Sequence, residues 1–161
     1  MKPKTCIILS TISFGLRALA LIAVLVMTVL QEPVKRLYGV SEEIASVHTV
    51  PWSSIIPALF WLILAGVILL VLLKRPRRGG TITLTIVSAV LFAVFGVVIF
   101  PALSLAVTQA VAQRGGPDAI ASSSALASAL SLVLPFLSTP ASILSLLALG
   151  GACGKDFRRE P

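Results

Sequence analysis

Four long apolar runs, at about 6–30, 52–73, 81–112 and 119–149, account for most of this 161-residue chain. A helix needs roughly 20 apolar residues to cross a hydrocarbon core. Every run meets that length, and Arg17 is the one charged residue inside any of them. Lipid offers the backbone no hydrogen bonds, so such runs must be helices or strands of a closed barrel. Barrel strands alternate apolar and polar residues, and the stretch from Ile63 to Leu73 does not. The expected fold is all-α: a single integral membrane domain over 1–161, built as a four-helix transmembrane bundle running up-down-up-down through short loops.

The basic residues give the orientation. Lys2 and Lys4 precede the first run, Lys74, Arg75, Arg77 and Arg78 join the second to the third, and Lys155, Arg158 and Arg159 follow the fourth. The opposite side holds three, Lys35, Arg36 and Arg114. Cytoplasmic segments carry the excess of Lys and Arg, so both termini and the loop at about 74–80 are expected in the cytoplasm. The loops at about 31–51 and 113–118 then lie outside. The net charge of +7 is accounted for by this asymmetry, with Arg17 adding one. It implies attraction to anionic lipid headgroups, chiefly at Lys74, Arg75, Arg77 and Arg78, and no nucleic-acid partner, since no folded basic domain accompanies it. Lys2 and Lys4 before an apolar run also resemble a signal peptide, with Ala18-Leu19-Ala20 as a cleavage-like site. Arg17 beside that site, and the ten apolar residues beyond it, favour a retained anchor. A bacterial cytoplasmic membrane is the expected location.

The third and fourth runs overshoot the bilayer, since thirty helical residues reach about 45 Å against a core of about 30 Å. Thr108, Gln109, Gln113 and Ser122 to Ser124 flank a Gly115-Gly116-Pro117 turn, with Asp118 as a cap for the helix after it. This hairpin is expected to project beyond the membrane. In the first loop, Ser41-Glu42-Glu43 reads as the start of a two-turn helix ending near His48. Loop and hairpin together would form a small outer cap, with Trp52 at the interface. Pro57-Ala58, Gly66 and the Lys74 cluster find a weak parallel match in Pro140-Ala141, Gly150 and the Lys155 cluster, of the kind that apolar low-complexity sequence also produces by accident.

Arg17 is the most informative single residue, because a charge deep in a span costs roughly 2.5 to 3.5 kcal/mol on insertion scales. Cys6, Ser10, Ser13, Arg17, Ala20 and Thr28 fall within an arc of about 100° on a helix. The simpler reading is that Arg17 snorkels back to the cytoplasmic interface. The functional one turns it into the bundle to hold an anion, a lipid phosphate or a partner's carboxylate. A second stripe, Ser124, Ser128, Ser131, Ser138, Ser142 and Ser145, occupies one arc of the fourth run. Small hydroxyl residues promote close helix packing, which is the favoured reading, or line a wetted path. Thr85, Ala89 and Ala93, with Gly96 nearby, offer the third run a matching small-residue face. Ser10, Ser13, Arg17, Ser128, Ser131, Ser138 and Ser142 are therefore the candidate interior or partner contacts.

Little else points to chemistry. Cys6 and Cys153 do not form a Cys-x-x-Cys pair. His48 is the one histidine, and its spacing from Glu42 and Glu43 is poor for a metal site. No acidic residue lies in a span, which argues against carboxylate-coupled proton transport. No cofactor or catalytic residue is expected. The residues favour a non-catalytic four-span membrane protein acting through helix and loop contacts, as an accessory, assembly or envelope protein, with lipids and a membrane-protein partner or a second copy around it. The runner-up is an oligomeric channel, holin-like pore or small transporter subunit.

Overall fold

The computed structural model describes residues 3–74 and 78–154. It is helical throughout, with no strand among the described residues. The elements are α1 (Pro3–Val29), α2 (Gln31–Leu37), α3 (Glu42–Ala45), α4 (Trp52–Leu73), α5 (Arg78–Ala93), a π turn (Val94–Ile99) and α6 (Phe100–Ala152). Within α6, Gly116 leaves helical geometry (φ 67°, ψ −166°), a conformation open to glycine alone. Four segments are consequently long and apolar enough to cross a membrane: Pro3–Val29, Trp52–Leu73, Gly80–Gln113 and Gly115–Ala152, hereafter spans one to four.

Span one packs against spans four and two, which also touch each other. One apolar cluster gathers Cys6 near the start of span one with Leu64, Ile68 and Leu72 late in span two and Ala148, Leu149 and Ala152 late in span four. A second joins Val24, late in span one, to Leu126 and Leu130, early in span four, with Ile55 and Ala58 beside them. Span three is peripheral: 6% of its apolar window is buried, against 22% in each of the others. It is held by rings. Phe60 stacks on Phe95 and Trp61 on Phe92, both at 4.2 Å between centroids, and Phe100 meets Phe60 edge-on at 5.5 Å.

Several local features differ from the sequence expectation. The buried face of span three carries Thr81 and Ser88, with Leu84, Leu91 and Phe92 half-buried. Ala89, Ala93 and Gly96 are exposed, while Thr85 is half-buried with its Oγ1 3.6 Å from Cys153 Sγ, so the small-residue face packs only at its Thr85 end. The large aromatic side chains displace it, since they bury far more area than alanines. The fourth helix starts ahead of Asp118: Gly116 is the break, which puts Pro117 at the first helical position and Asp118 in the first turn. The first loop contains two helices. α2 begins one residue after span one, and Pro33 sits in its first turn, where its missing N–H has no partner to lose. α3 is a single turn rather than two, with Glu42 and Glu43 in it and Ser41 extended ahead of it without a side-chain cap.

A buried lysine fastens this loop to span four. Lys35 is fully enclosed, and its Nζ donates to the Gln31 Oε1 at 2.8 Å and to the Val47 carbonyl at 2.6 Å. Ser122 Oγ donates to the same carbonyl at 2.9 Å, and the Thr49 N–H to Gln31 Oε1 at 3.0 Å. Burial pushes the Lys35 ammonium below the ordinary lysine value of 10.5, with Glu32 partly opposing the shift. The undocked loop therefore binds the proton more tightly than the docked one. Docking strengthens as pH rises through the window between the depressed value and 10.5, by at most tenfold per pH unit. Trypsin cleavage after exposed Arg36, scaled to an unstructured reporter peptide, is expected to slow as pH is raised into that window. In Lys35→Met that trend disappears.

Candidate functional site

Span one presents its small, polar stripe to the inside. Cys6, Ser10, Ser13, Arg17 and Ala20 are all buried, Arg17 being only 4% exposed near the midpoint of the helix. Thr28, at the far end of the stripe, turns its hydroxyl back to the Val24 carbonyl at 2.7 Å. The guanidinium turns inward, toward spans four and two. Its Nη2 donates to Ser142 Oγ of span four at 2.6 Å, and its Cζ lies 5.4 Å from the Trp61 ring centroid of span two. Snorkelling is thus replaced by an inward geometry. The reason is that a hydroxyl and a π face stand within its reach across the helix interface, and each favours the cation.

One turn earlier, Ser13 locks the two helices together. Its Oγ donates to the Ala141 carbonyl at 2.7 Å and lies 2.6 Å from Ser145 Oγ. Because Ser13 has one proton, Ser145 is the donor in that second bond. Ser142 likewise donates to the Ser138 carbonyl at 2.8 Å while accepting from Arg17, so a polarised chain runs from cation to hydroxyl to carbonyl.

The serine stripe of span four divides between two surroundings. Ser145 is buried against Ser13, and Ser138 and Ser142 are half-buried beside Arg17. Ser124, Ser128 and Ser131 are exposed, without a partner helix over them. Ser124 donates to Ala121 O at 2.9 Å and Ser131 to Ser128 O at 2.7 Å, which leaves both oxygens as acceptors.

Two cavities follow from this division. A chamber of about 320 Å³ is walled by all four spans: Arg17 and Ala20 of span one, Ser53, Ser54, Pro57 and Trp61 of span two, Phe92 of span three, and Ser138 and Ser142 of span four. A larger groove of about 850 Å³ lies at the loop-one end. His48, Thr49 and Trp52 line it on one side, Val107, Thr108 and Val111 on the second, and Ser123, Ser124, Ser128 and Ser131 on the third. Ser53 lines both, so the cavities adjoin. The cluster around Leu64, Ile68 and Leu149 packs the other end of the molecule.

The structure thus brings Arg17, Ser13, Ser138 and Ser142 together and places Ser10 on the same buried face, while Ser128 and Ser131 belong to the groove. Sequence spacing did not single out Ser53, Ser54 and Trp61. Trp61, an aromatic in the middle of an apolar run, and the Ser-Ser pair one helical turn before Pro57 were the signals available. Among the lysine and arginine residues of the second connection, Lys74 is exposed at the end of α4 and Arg78 opens α5. Arg75 and Arg77 lie outside the described residues, so the proposed lipid contact there stays a sequence expectation. His48 Nδ1 sits 2.9 Å from the Ser46 carbonyl, and its Nε2 is 4.0 Å from Glu32 rather than Glu42 or Glu43.

No protein-family model matches the chain, and no curated protein or solved structure is similar to it.

Proposed function

We propose that this chain is a non-catalytic, multi-pass membrane protein that holds an anionic group on Arg17 inside its helical bundle. The observation that carries the reading is a buried guanidinium with no carboxylate beside it, opening into a cavity. A charge in that position is costly unless paired, and arginine offers five N–H donors, of which the described residues occupy one, through Ser142. The remaining fork matches the geometry of a carboxylate or phosphate.

The proposed setting is a cell membrane, with spans one to four running up-down-up-down and both termini in the cytoplasm. The nine-to-three division of basic residues supports cytoplasmic termini, and the clusters that pair each end of span one with the opposite ends of spans two and four support the alternating direction of those three spans. The sparsely buried span three is the natural face for lipid, a membrane-protein partner or a second copy. A second reading, a small transporter subunit, draws support from the adjoining cavities, which together lead from the loop-one end to Arg17.

Trp61 supplies the test. In a Trp52→Phe background its fluorescence reports on the chamber, and titration with butyrate is expected to give a saturable change. Arg17→Gln removes that response, and Arg17→Lys, which keeps the charge and loses the fork, weakens it by about tenfold or more. An undiminished response in Arg17→Gln means that Arg17 is not the anion site.

A further inference from the structure

Resting on that anion-binding reading, we propose that the occupant is a small water-soluble monocarboxylate and that it reaches Arg17 from the loop-one end, along the serine-lined groove. Three observations narrow the ligand. The chamber contains one cation and no second basic side chain among the described residues lining it, which suits a single negative charge. Its remaining walls mix hydroxyls with Pro57, Trp61 and Phe92, so a short apolar body behind the carboxylate is accommodated. At about 30 Å³ per water in the liquid, 320 Å³ corresponds to about ten waters, room for a carboxylate of several carbons.

The route follows from the same cavities. Toward the chain termini, the chamber ends on the packed cluster of Leu64, Ile68 and Leu149. Toward loop one, it adjoins the groove at Ser53. The second apolar cluster, around Val24 and Leu130, lies on the span-one side and leaves the span-three side to the groove. Along the groove, Ser124 and Ser131 have spent their protons on their own helix and offer oxygens. Those oxygens accept hydrogen bonds from water along the way to Arg17. The groove serves passage, and the guanidinium serves capture.

Cysteine accessibility tests both statements on the full chain. Cys6→Ala and Cys153→Ser remove the native thiols, and single cysteines replace Ser128, Ser131 and Ser138 in turn, with Ser53→Cys as a second chamber probe should Ser138→Cys fail to fold. Each protein is placed in neutral phosphatidylcholine vesicles, its orientation fixed by protease cleavage of a C-terminal tag, and treated with an impermeant sulfonate-bearing thiosulfonate. Labelling from the loop-one side alone is expected at all three positions. Butyrate is expected to slow labelling of Ser138→Cys at least fivefold, to leave Ser128→Cys unaffected, and to give no protection once Arg17→Gln is added. Labelling of Ser138→Cys from the termini side, or none from the loop-one side, overturns the route. If oleate or phosphatidic acid in the vesicles protects and butyrate does not, the occupant is a lipid: the inference fails while the Arg17 reading stands. If nothing protects and Trp61 also fails to respond, both fail together.

Discussion

Arg17→Leu is expected to yield a protein that resists heat at least as well as the parent and no longer responds to butyrate. The guanidinium is enclosed at 4% exposure with one hydroxyl and one ring for company. On insertion scales, exchanging arginine for leucine at a helix centre is worth about 3 kcal/mol or more in favour of leucine. Against this stand one interhelical hydrogen bond, about 0.6 kcal/mol in membrane proteins, and one cation–π contact of about 0.5 to 2 kcal/mol. The balance favours leucine. Ser142 keeps its bond to the Ser138 carbonyl, so no buried donor is orphaned by the change. Thermal unfolding in detergent, read by loss of monodisperse protein, measures the outcome. A melting temperature several degrees below the parent would make Arg17 a strut between spans one and four, with no anion needed to account for it.

Ser13→Leu is expected to cause the largest loss of stability of any single change in the interhelical contact. Ser13 is completely buried, and its hydroxyl bridges to a backbone carbonyl of span four, which requires the two helices to approach closely. Forcing extra methylenes into such a contact costs about 1 to 3 kcal/mol, and the two lost hydrogen bonds add about 0.6 kcal/mol each. Ser13→Ala forfeits only the hydrogen bonds, a loss of about 1 kcal/mol. Because Ser145 and Ser142 share a helical turn, separating the helices also moves Ser142 from Arg17, and butyrate affinity should fall in the leucine variant more than in the alanine one. Urea titrations of both, with butyrate binding measured on each, decide the matter. Equal destabilisation by leucine and alanine would contradict the close approach.

How far the sequence anticipates this arrangement depends on which physical signal each residue carries. The spans are legible because lipid-compatible runs announce themselves by length and composition; their observed ends differ from the expected ones by a few residues. The buried face of span one is legible too, because Cys6, Ser10, Ser13, Arg17 and Ala20 recur on one arc of the helix at helical spacing. Which way Arg17 reaches was not, since the deciding partners, Ser142 and Trp61, are 125 and 44 residues away in the chain. The serine stripe shows the same limit. Periodicity places its residues on one face, but only the packing of span one reveals that the face is covered at Ser142 and Ser145 and open at Ser128 and Ser131. Span three misled for a different reason: alanine spacing marks a surface that permits close approach, while the rings of Phe92, Phe95 and Phe100 mark one that gains by it.

The π turn at Val94–Ile99 acts as a phase shifter for everything beyond it in span three. In an unbroken α-helix, Phe95 would stand about 60° to one side of Phe92 and Phe100 about 80° to the other, too divergent to share neighbours. One additional residue within a helix delays the rotation by about 100° and carries Phe100 back to about 20° from Phe92. All three rings then converge on Phe60 and Trp61, as the centroid distances show. The same delay brings Val107 and Val111, which wall the groove, to within about 40° of that azimuth. Pro101, lacking an N–H just past the turn, removes one of the bonds that would rewind it. A single surplus residue near the middle of the helix thus sets the angular bearing of its far third, and with it the shape of the entrance some ten residues away.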